Sequence, residues 1–197
     1  GAECAWNGST TPLDAFNRRI GAVLFGEPGD HFGRAIELLA RSHGLAGMKG
    51  MHQTRFWELA PTKCTVSEEI TRRQAEALQR IIEPALDHLR QAQSDASRNA
   101  DLLDYFIYEA KRMQLIADRD LGFLEAFKAY RRASRPGVPH AEVDALLSAA
   151  SAQVLALRDR HQALKEEYIT LWHRENKPYA LSRPVPHFDP LRNSCED

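Results

Sequence analysis

The stretch 140-HAEVDALLSAASAQVLALRDRHQALKEEYITLWHREN-176 decides the fold. Val143, Leu147, Ala150, Val154, Leu157, His161, Leu164, Tyr168, Leu171 and Glu175 alternate at spacings of four and three, the seam of a helix that packs on other helices. Eight of these ten positions are apolar, while Arg158, Asp159, Arg160, Lys165, Glu166 and Glu167 fill the faces between them. One side therefore seeks a core and the other water. At 1.5 Å per residue the helix is roughly 55 Å long. A compact barrel or sandwich has no room for it, so the spacing predicts an elongated helical bundle.

Its partners are legible upstream. Ser67 with Glu68 and Glu69 opens a helix to about Gln93, with Ile70, Ala77, Leu78, Ile81, Ala85 and Leu89 inward and a kink expected at Pro84. A polar SDASRNAD break follows. The next helix, from about Arg98 to Ala133, presents Leu103, Phe106, Ile107, Ala110, Met113, Ala117, Leu121, Leu124 and Phe127. Arg135-Pro136-Gly137-Val138-Pro139 then turns the chain into the long helix. Short links between three long helices imply an up-down-up arrangement. Each helix carries its own apolar face, so residues 67–176 are expected to hold a core of their own.

Two shorter helices precede them. Thr11-Pro12-Leu13-Asp14 is a start signal, with Thr11 as cap, Pro12 at the first helical position and an acid in the first turn. Leu13, Phe16, Ile20, Val23 and Leu24 recur at helical spacing until Gly26, Pro28 and Gly29 stop them. Asp30 is read as the cap of a second helix carrying Phe32, Ile36, Leu38 and Leu39 to His43, with Gly44 as the left-handed residue after its end. From Leu45 to Val66 no period holds. Loops of this length are commonly functional, and Phe56 and Trp57 in it are read as a plug at the bundle end or a cover over a domain junction.

The expected architecture is all-α: an elongated three-helix up-down-up bundle over 67–176, preceded by a 1–66 region with two shorter helices and a strand-like N-terminal segment. A proline-rich tail, 177–197, is expected to be extended, with Tyr179 and Phe188 able to pin it back. The strand-like residues 1–10, GAECAWNGST, find no partner strand later in the chain. The chain opens Gly-Ala-Glu, without methionine or a signal-like leader, so its start is expected to be processed, engineered or internal to a longer protein.

Composition narrows the function classes. With 43% hydrophobic residues in 197, a substantial core is available. A formal charge of −1, with acids and bases interleaved along the helices, offers no electrostatic argument for nucleic acid or an anionic membrane as partner. No apolar run approaches the ~20 residues of a membrane span. Cys4, Cys64 and Cys195 form no CxxC pair and the eight histidines form no HExxH, so neither a metal nor another cofactor is expected. His161, inside the seam, is read as a hydrogen-bonded core or boundary histidine rather than a ligand.

Two stretches carry a resemblance: Ala2-Glu3-Cys4-Ala5-Trp6-Asn7 leading into TPLDAFNRRIGAVLFG, and Leu171-Trp172-His173-Arg174-Glu175-Asn176-Lys177-Pro178-Tyr179-Ala180-Leu181. Together they resemble the C-terminal part of large bacterial glycoside hydrolases of the family 20, β-N-acetylhexosaminidase-like group. There a (β/α)₈ barrel is followed by a helical region that ends in an ENKPYAL-type segment. The resemblance implies that residues 2–6 are the last barrel strand and residues 11–25 the last barrel helix. It also implies that the upstream catalytic barrel of the same polypeptide is the partner, beside a homo-oligomer, and that the setting is secreted or periplasmic.

Because barrel active sites lie at the C-terminal ends of strands, Glu3, Trp6 and Asn7 would be the substrate-binding candidates: Trp6 as part of an aromatic wall, Glu3 as an acceptor of sugar hydroxyls. Their order and spacing differ from the hexosaminidase pattern. Family 20 enzymes use an Asp-Glu pair with a substrate acetamido group as nucleophile, an exception to the two-carboxylate scheme. No Asp-Glu dipeptide occurs here, so no catalytic residue is assigned and the chain alone is expected to be inactive, with carbohydrate bound only in an intact parent. The alternative is a stand-alone helical-bundle interaction module.

Overall fold

A computed structural model describes residues 12–45, 56 and 68–189. Among them the chain is helical and contains no strand. Helix α1 (Leu13–Ile20) runs on as a π-helical turn, Gly21–Phe25, and α2 spans His31–Ser42. The long helices are α3 (Glu68–Asp95), α4 (Leu103–Ala133) and α5 (His140–Glu175). Three-residue 3-10 turns precede α4 (Ala100–Leu102) and follow α5 (Pro178–Ala180, Val185–His187). The strand-like segment 1–10 lies outside the described residues.

Each helix packs chiefly on the next in sequence, α1 on α2, α2 on α3, α3 on α4 and α4 on α5. Side-chain pairs show that the long neighbours are antiparallel. Between α3 and α4, Gln93 donates to Asp104, Gln79 to Asp118 and Arg72 to Glu125. Between α4 and α5, Arg174 pairs with Asp104, Lys111 with Glu167, Arg160 with Asp118, and Arg132 with Glu142. These rungs are mostly solvent-accessible and individually worth ~0–1 kcal/mol. The stability comes from what they flank.

That core centres on α4. From Leu103 to Leu124 its buried residues point in every direction: Leu103, Ile107, Tyr108, Ala110, Met113, Leu115, Ile116, Ala117, Arg119, Asp120, Gly122 and Leu124. The one-sided apolar stripe expected there is thus incomplete, because α2 also reaches α4: the Phe32 ring meets Phe106 edge-on at 5.1 Å. From α3 come Ala75, Leu78, Ile82, Ala85, Leu86, Leu89 and Ala92; Ile70, expected inward, is 47% exposed in the first turn. Helix α3 continues unbroken through Pro84. From α5, Leu157, His161, Leu164 and Leu171 are buried, whereas Leu147, in the N-terminal half of the same seam, is 41% exposed.

Several local expectations need correction. The side chain of Asp30 does not cap α2. Glu27 does, its carboxylate accepting the backbone N–H of His31 and, at 3.0 Å, of Phe32; Asp30 lacks the extended backbone of a capping residue and its carboxylate pairs with Arg34 instead. Gly44 is not left-handed; the positive-φ glycines among the described residues are Gly26 and Gly137. Pro12 sits at the N-cap of α1, one residue before the position expected, and Thr11 lies outside the described residues. The described part of the tail, 177–189, is not extended throughout but folds through two 3-10 turns, burying Phe188 and leaving Tyr179 82% exposed.

Helices α1 and α2 touch backbone to backbone. A Cβ on Gly33 would stand 3.1 Å from the Arg18 nitrogen and 3.3 Å from its Cα, and one on Gly21 would stand 3.2 Å from the Phe32 Cβ. Because those neighbours at Gly33 are main chain, they cannot swing away. Gly33→Val is therefore expected to destabilise the protein by about 1–3 kcal/mol, whereas Gly44→Ala, with ordinary space and φ, is expected to stay within about 0.5 kcal/mol. Denaturant melts of the two variants check this; equal midpoints would remove the close approach.

Candidate functional site

Glu3, Trp6 and Asn7, the substrate-binding candidates read from sequence, lie outside the described residues. Cys4, Cys64, Cys195 and Trp57 lie outside them too. Among the described residues no three His, Cys, Asp or Glu side chains are grouped to hold a metal ion, and no helix is long and apolar enough to cross a membrane. Two features stand out among the described residues, an exposed apolar face and a furrow.

The face belongs to α1. Its glycine contacts force Asn17 and Gly21 towards α2, and both are buried. The apolar stripe of the same helix then points elsewhere: Leu13 is 70%, Val23 69% and Leu24 45% exposed, with Phe16 and Ile20 half-buried. An amphipathic helix normally buries its apolar stripe in its own core. Here Asn17, Gly21 and Phe25 are buried and Ile20 packs on the core at partial burial, while Leu13, Val23 and Leu24 stay exposed.

The far end of this helix is clamped. Gly26, at φ +62°, reverses the chain, and the link between α3 and α4 closes over the terminal carbonyls. Ser97 and Arg98 donate their backbone N–H to Phe25 O at 2.9 and 3.1 Å, and the Asn99 side chain donates to Leu24 O at 2.7 Å. Those carbonyls would otherwise lack partners. The stripe is thus held outward by a rigid turn.

The furrow runs between α4 and α5. Phe56, fully buried, lies in it with its ring 6.0 Å from His161 and 5.9 Å from Phe188, which in turn stacks 5.6 Å from Tyr168. Arg119 donates to Phe56 O at 3.2 Å and the Arg112 guanidinium stands 5.4 Å from the Phe56 ring. Phe56 is thus buried as a plug, but midway along the α4–α5 furrow and not at the bundle end expected from sequence. The hydrogen-bonded state expected for His161 is not found: it is 2% exposed and neither ring nitrogen has a hydrogen-bond partner. Burial, with the nearby Arg119 and Arg160 charges, lowers its pKa from 6.5 to about 4.

Two further features are polar. His31 and His88 bring their Nδ1 atoms to 3.0 Å, an arrangement that requires one to donate and the other to accept; burial, then His31, lowers the His88 pKa. On the opposite flank of α4 two adjoining clefts of about 280 Å³ each meet at Arg160. Their charges are mutually paired, Arg160 with Asp118 and Lys111 with Glu167, which leaves no unpaired group aimed at a ligand from those residues.

No family model, no curated protein and no solved structure matches this chain.

Two outcomes are expected. Between pH 6.5 and 4 the unfolded chain takes up a proton at residue 161 that the folded chain refuses, so stability falls as pH falls through that window, by about 3 kcal/mol in all. His161→Leu is expected to flatten this acid limb and to leave stability at pH 7 equal or higher, since two unpartnered buried nitrogens are removed; thermal melts from pH 7 to 4 check it, and an unaltered limb would refute it. On the face of α1, Leu13→Ser with Val23→Ser is expected to lower binding of a dye that reports exposed apolar surface while shifting stability by no more than about 0.5 kcal/mol. A large loss of stability would mean that the stripe is part of the internal core.

Proposed function

We propose that this chain is the C-terminal helical portion of a glycoside hydrolase of the family 20, β-N-acetylhexosaminidase-like group, serving as a structural buttress and oligomerisation element. The observation that carries the proposal is the exposure of Leu13, Val23 and Leu24 on a helix held against α2 by the backbone contacts at Gly21 and Gly33. Such a stripe seeks a large apolar neighbour. In family 20 the corresponding element is the last helix of the barrel, which lies against barrel strands. The upstream catalytic barrel of the same polypeptide is the neighbour proposed here.

In this proposal α3, α4 and α5 act as an up-down-up three-helix bundle, and Glu3, Trp6 and Asn7 contribute to the edge of the sugar site in the intact parent. Trp6 would stack on a pyranose ring and Glu3 would accept hydroxyl hydrogen bonds. The acid and the orienting aspartate would come from the barrel, since the chain has no Asp-Glu dipeptide. A secreted or periplasmic setting follows from the same resemblance. A stand-alone interaction module, the other reading of the sequence, leaves the outward stripe of α1 without an assigned neighbour.

The intact mass of the source polypeptide separates the two. A product several hundred residues longer with an upstream barrel is expected; a native product of this length would overturn the proposal. In that parent, Trp6→Ala is expected to lower kcat/KM on an N-acetylhexosaminide by about 10-fold or more through lost positioning, while the isolated chain is expected to show no calorimetric binding of N-acetylglucosamine. Unchanged kinetics of the variant would return Trp6 to a packing role.

A further inference from the structure

The furrow that holds Phe56 and Phe188 does not end with them. On α5 one face recurs every seven residues as Leu147, Val154, His161 and Tyr168. His161 and Tyr168 are covered by the two phenylalanines, but Val154 is half-buried and Leu147 is 41% exposed. On α4 the matching face passes from Arg112 and Arg119, which hold Phe56, to Phe123, half-buried, and Tyr130, 58% exposed. Leu155, 37% exposed, borders it. Helix α3 flanks α4 only as far as its start at Glu68, which pairs with Lys128 at 2.9 Å, so beyond that point α4 has only α5 beside it among the described helices. The Arg132–Glu142 pair closes the tip of this two-helix hairpin.

The rims of the open furrow carry opposite charges. Arg131 stands on the α4 side and Asp144 on the α5 side; both are exposed and neither has an ion-pair partner among the described residues. A surface with an apolar floor, one basic rim and one acidic rim is complementary to itself. Under a two-fold axis residue i of one copy meets j of the other, and j meets i, so Arg131 of each copy can face Asp144 of its mate while Tyr130, Leu147 and Val154 pack between them. Two hairpins then make four helices around a shared seam, the burial that two helices by themselves cannot achieve.

We propose that the chain dimerises through the α4–α5 hairpin tip, with a second copy of the chain laid in the open furrow. This names the surface for the oligomerisation role given above and rests on that part alone; it needs neither an upstream barrel nor a sugar site, so a failed hydrolase assay leaves it standing and a failed association assay leaves the hydrolase proposal standing.

The test is sedimentation equilibrium of the full chain carrying Leu13→Ser and Val23→Ser, which removes the α1 stripe as a source of association. A monomer–dimer equilibrium is expected, with Leu147→Glu weakening it about tenfold or more. Arg131→Glu alone and Asp144→Arg alone should each weaken the homodimer. An equimolar mixture of those two variants should form heterodimers at least as tightly as the parent, because in the mixed pair both rim contacts regain opposite charges. Helical circular dichroism confirms that each variant is folded. A chain that stays monomeric up to about 100 μM, a dimer indifferent to Leu147→Glu, or a mixture without preference for the heterodimer would each overturn the proposal; those concentrations bracket the micromolar range in which a modest interface shows itself.

Discussion

The burial of α4 on all sides is the constraint on which the rest of the structure depends. A helix whose buried residues face every direction requires neighbours around its whole circumference, and between Leu103 and Leu124 those neighbours are α3, α5, Phe32 of α2 and Phe56. The cost of that enclosure is borne by its polar residues. Arg119 and Asp120 lie inside and approach each other at 3.8 Å, with Arg119 also spent on the Phe56 carbonyl. Tyr108 is pushed above the ordinary phenol range by the same burial. Where α4 leaves its enclosure, after Leu124, its side chains become mostly exposed and the hairpin with α5 stands with one furrow open.

The close contact of α1 with α2 governs what the N-terminal helix can do. Gly21 and Gly33 let the helices approach until side chains no longer fit between them, and the Asn99 and Ser97 contacts fix the end of α1 to the link before α4. The orientation of the apolar stripe is thereby tied to the core of the long helices through only one turn of chain. An outward stripe in such a rigid mount differs from a scattered exposed leucine on a surface, which needs no explanation. It is an exposed apolar surface, for which the upstream barrel is the neighbour proposed.

The buried histidine illustrates how a seam can include a polar residue without using it as a ligand site. His161 occupies a position equivalent to Val154 and Leu147 in the seven-residue recurrence, and the surrounding rings and Arg119 charge hold it neutral. It marks the place where the furrow passes from a filled, partly polar section to an open apolar one.

Much of this was legible in the residues themselves. The four-three spacing in 140–176 and the apolar faces of the two helices before it determine the three long helices, because helical periodicity is a local property that each segment declares by itself. The breaks at Gly26 and Arg135-Pro136-Gly137 are equally local, since they depend on φ and on a missing donor. The candidate residues Glu3, Trp6 and Asn7 rest on the resemblance and remain a matter for experiment. What only the tertiary structure decided is which side of each helix is covered. The stripe of α1 looked like a core face, yet Leu13, Val23 and Leu24 are exposed and only Ile20 of it packs on the core; the seam of α5 looked uniform, yet its N-terminal half is open; the partners of Phe56 and Phe188, far apart in sequence, meet only across the α4–α5 furrow. Coverage is set by where other segments end and how closely backbones approach, and no window of sequence contains that information.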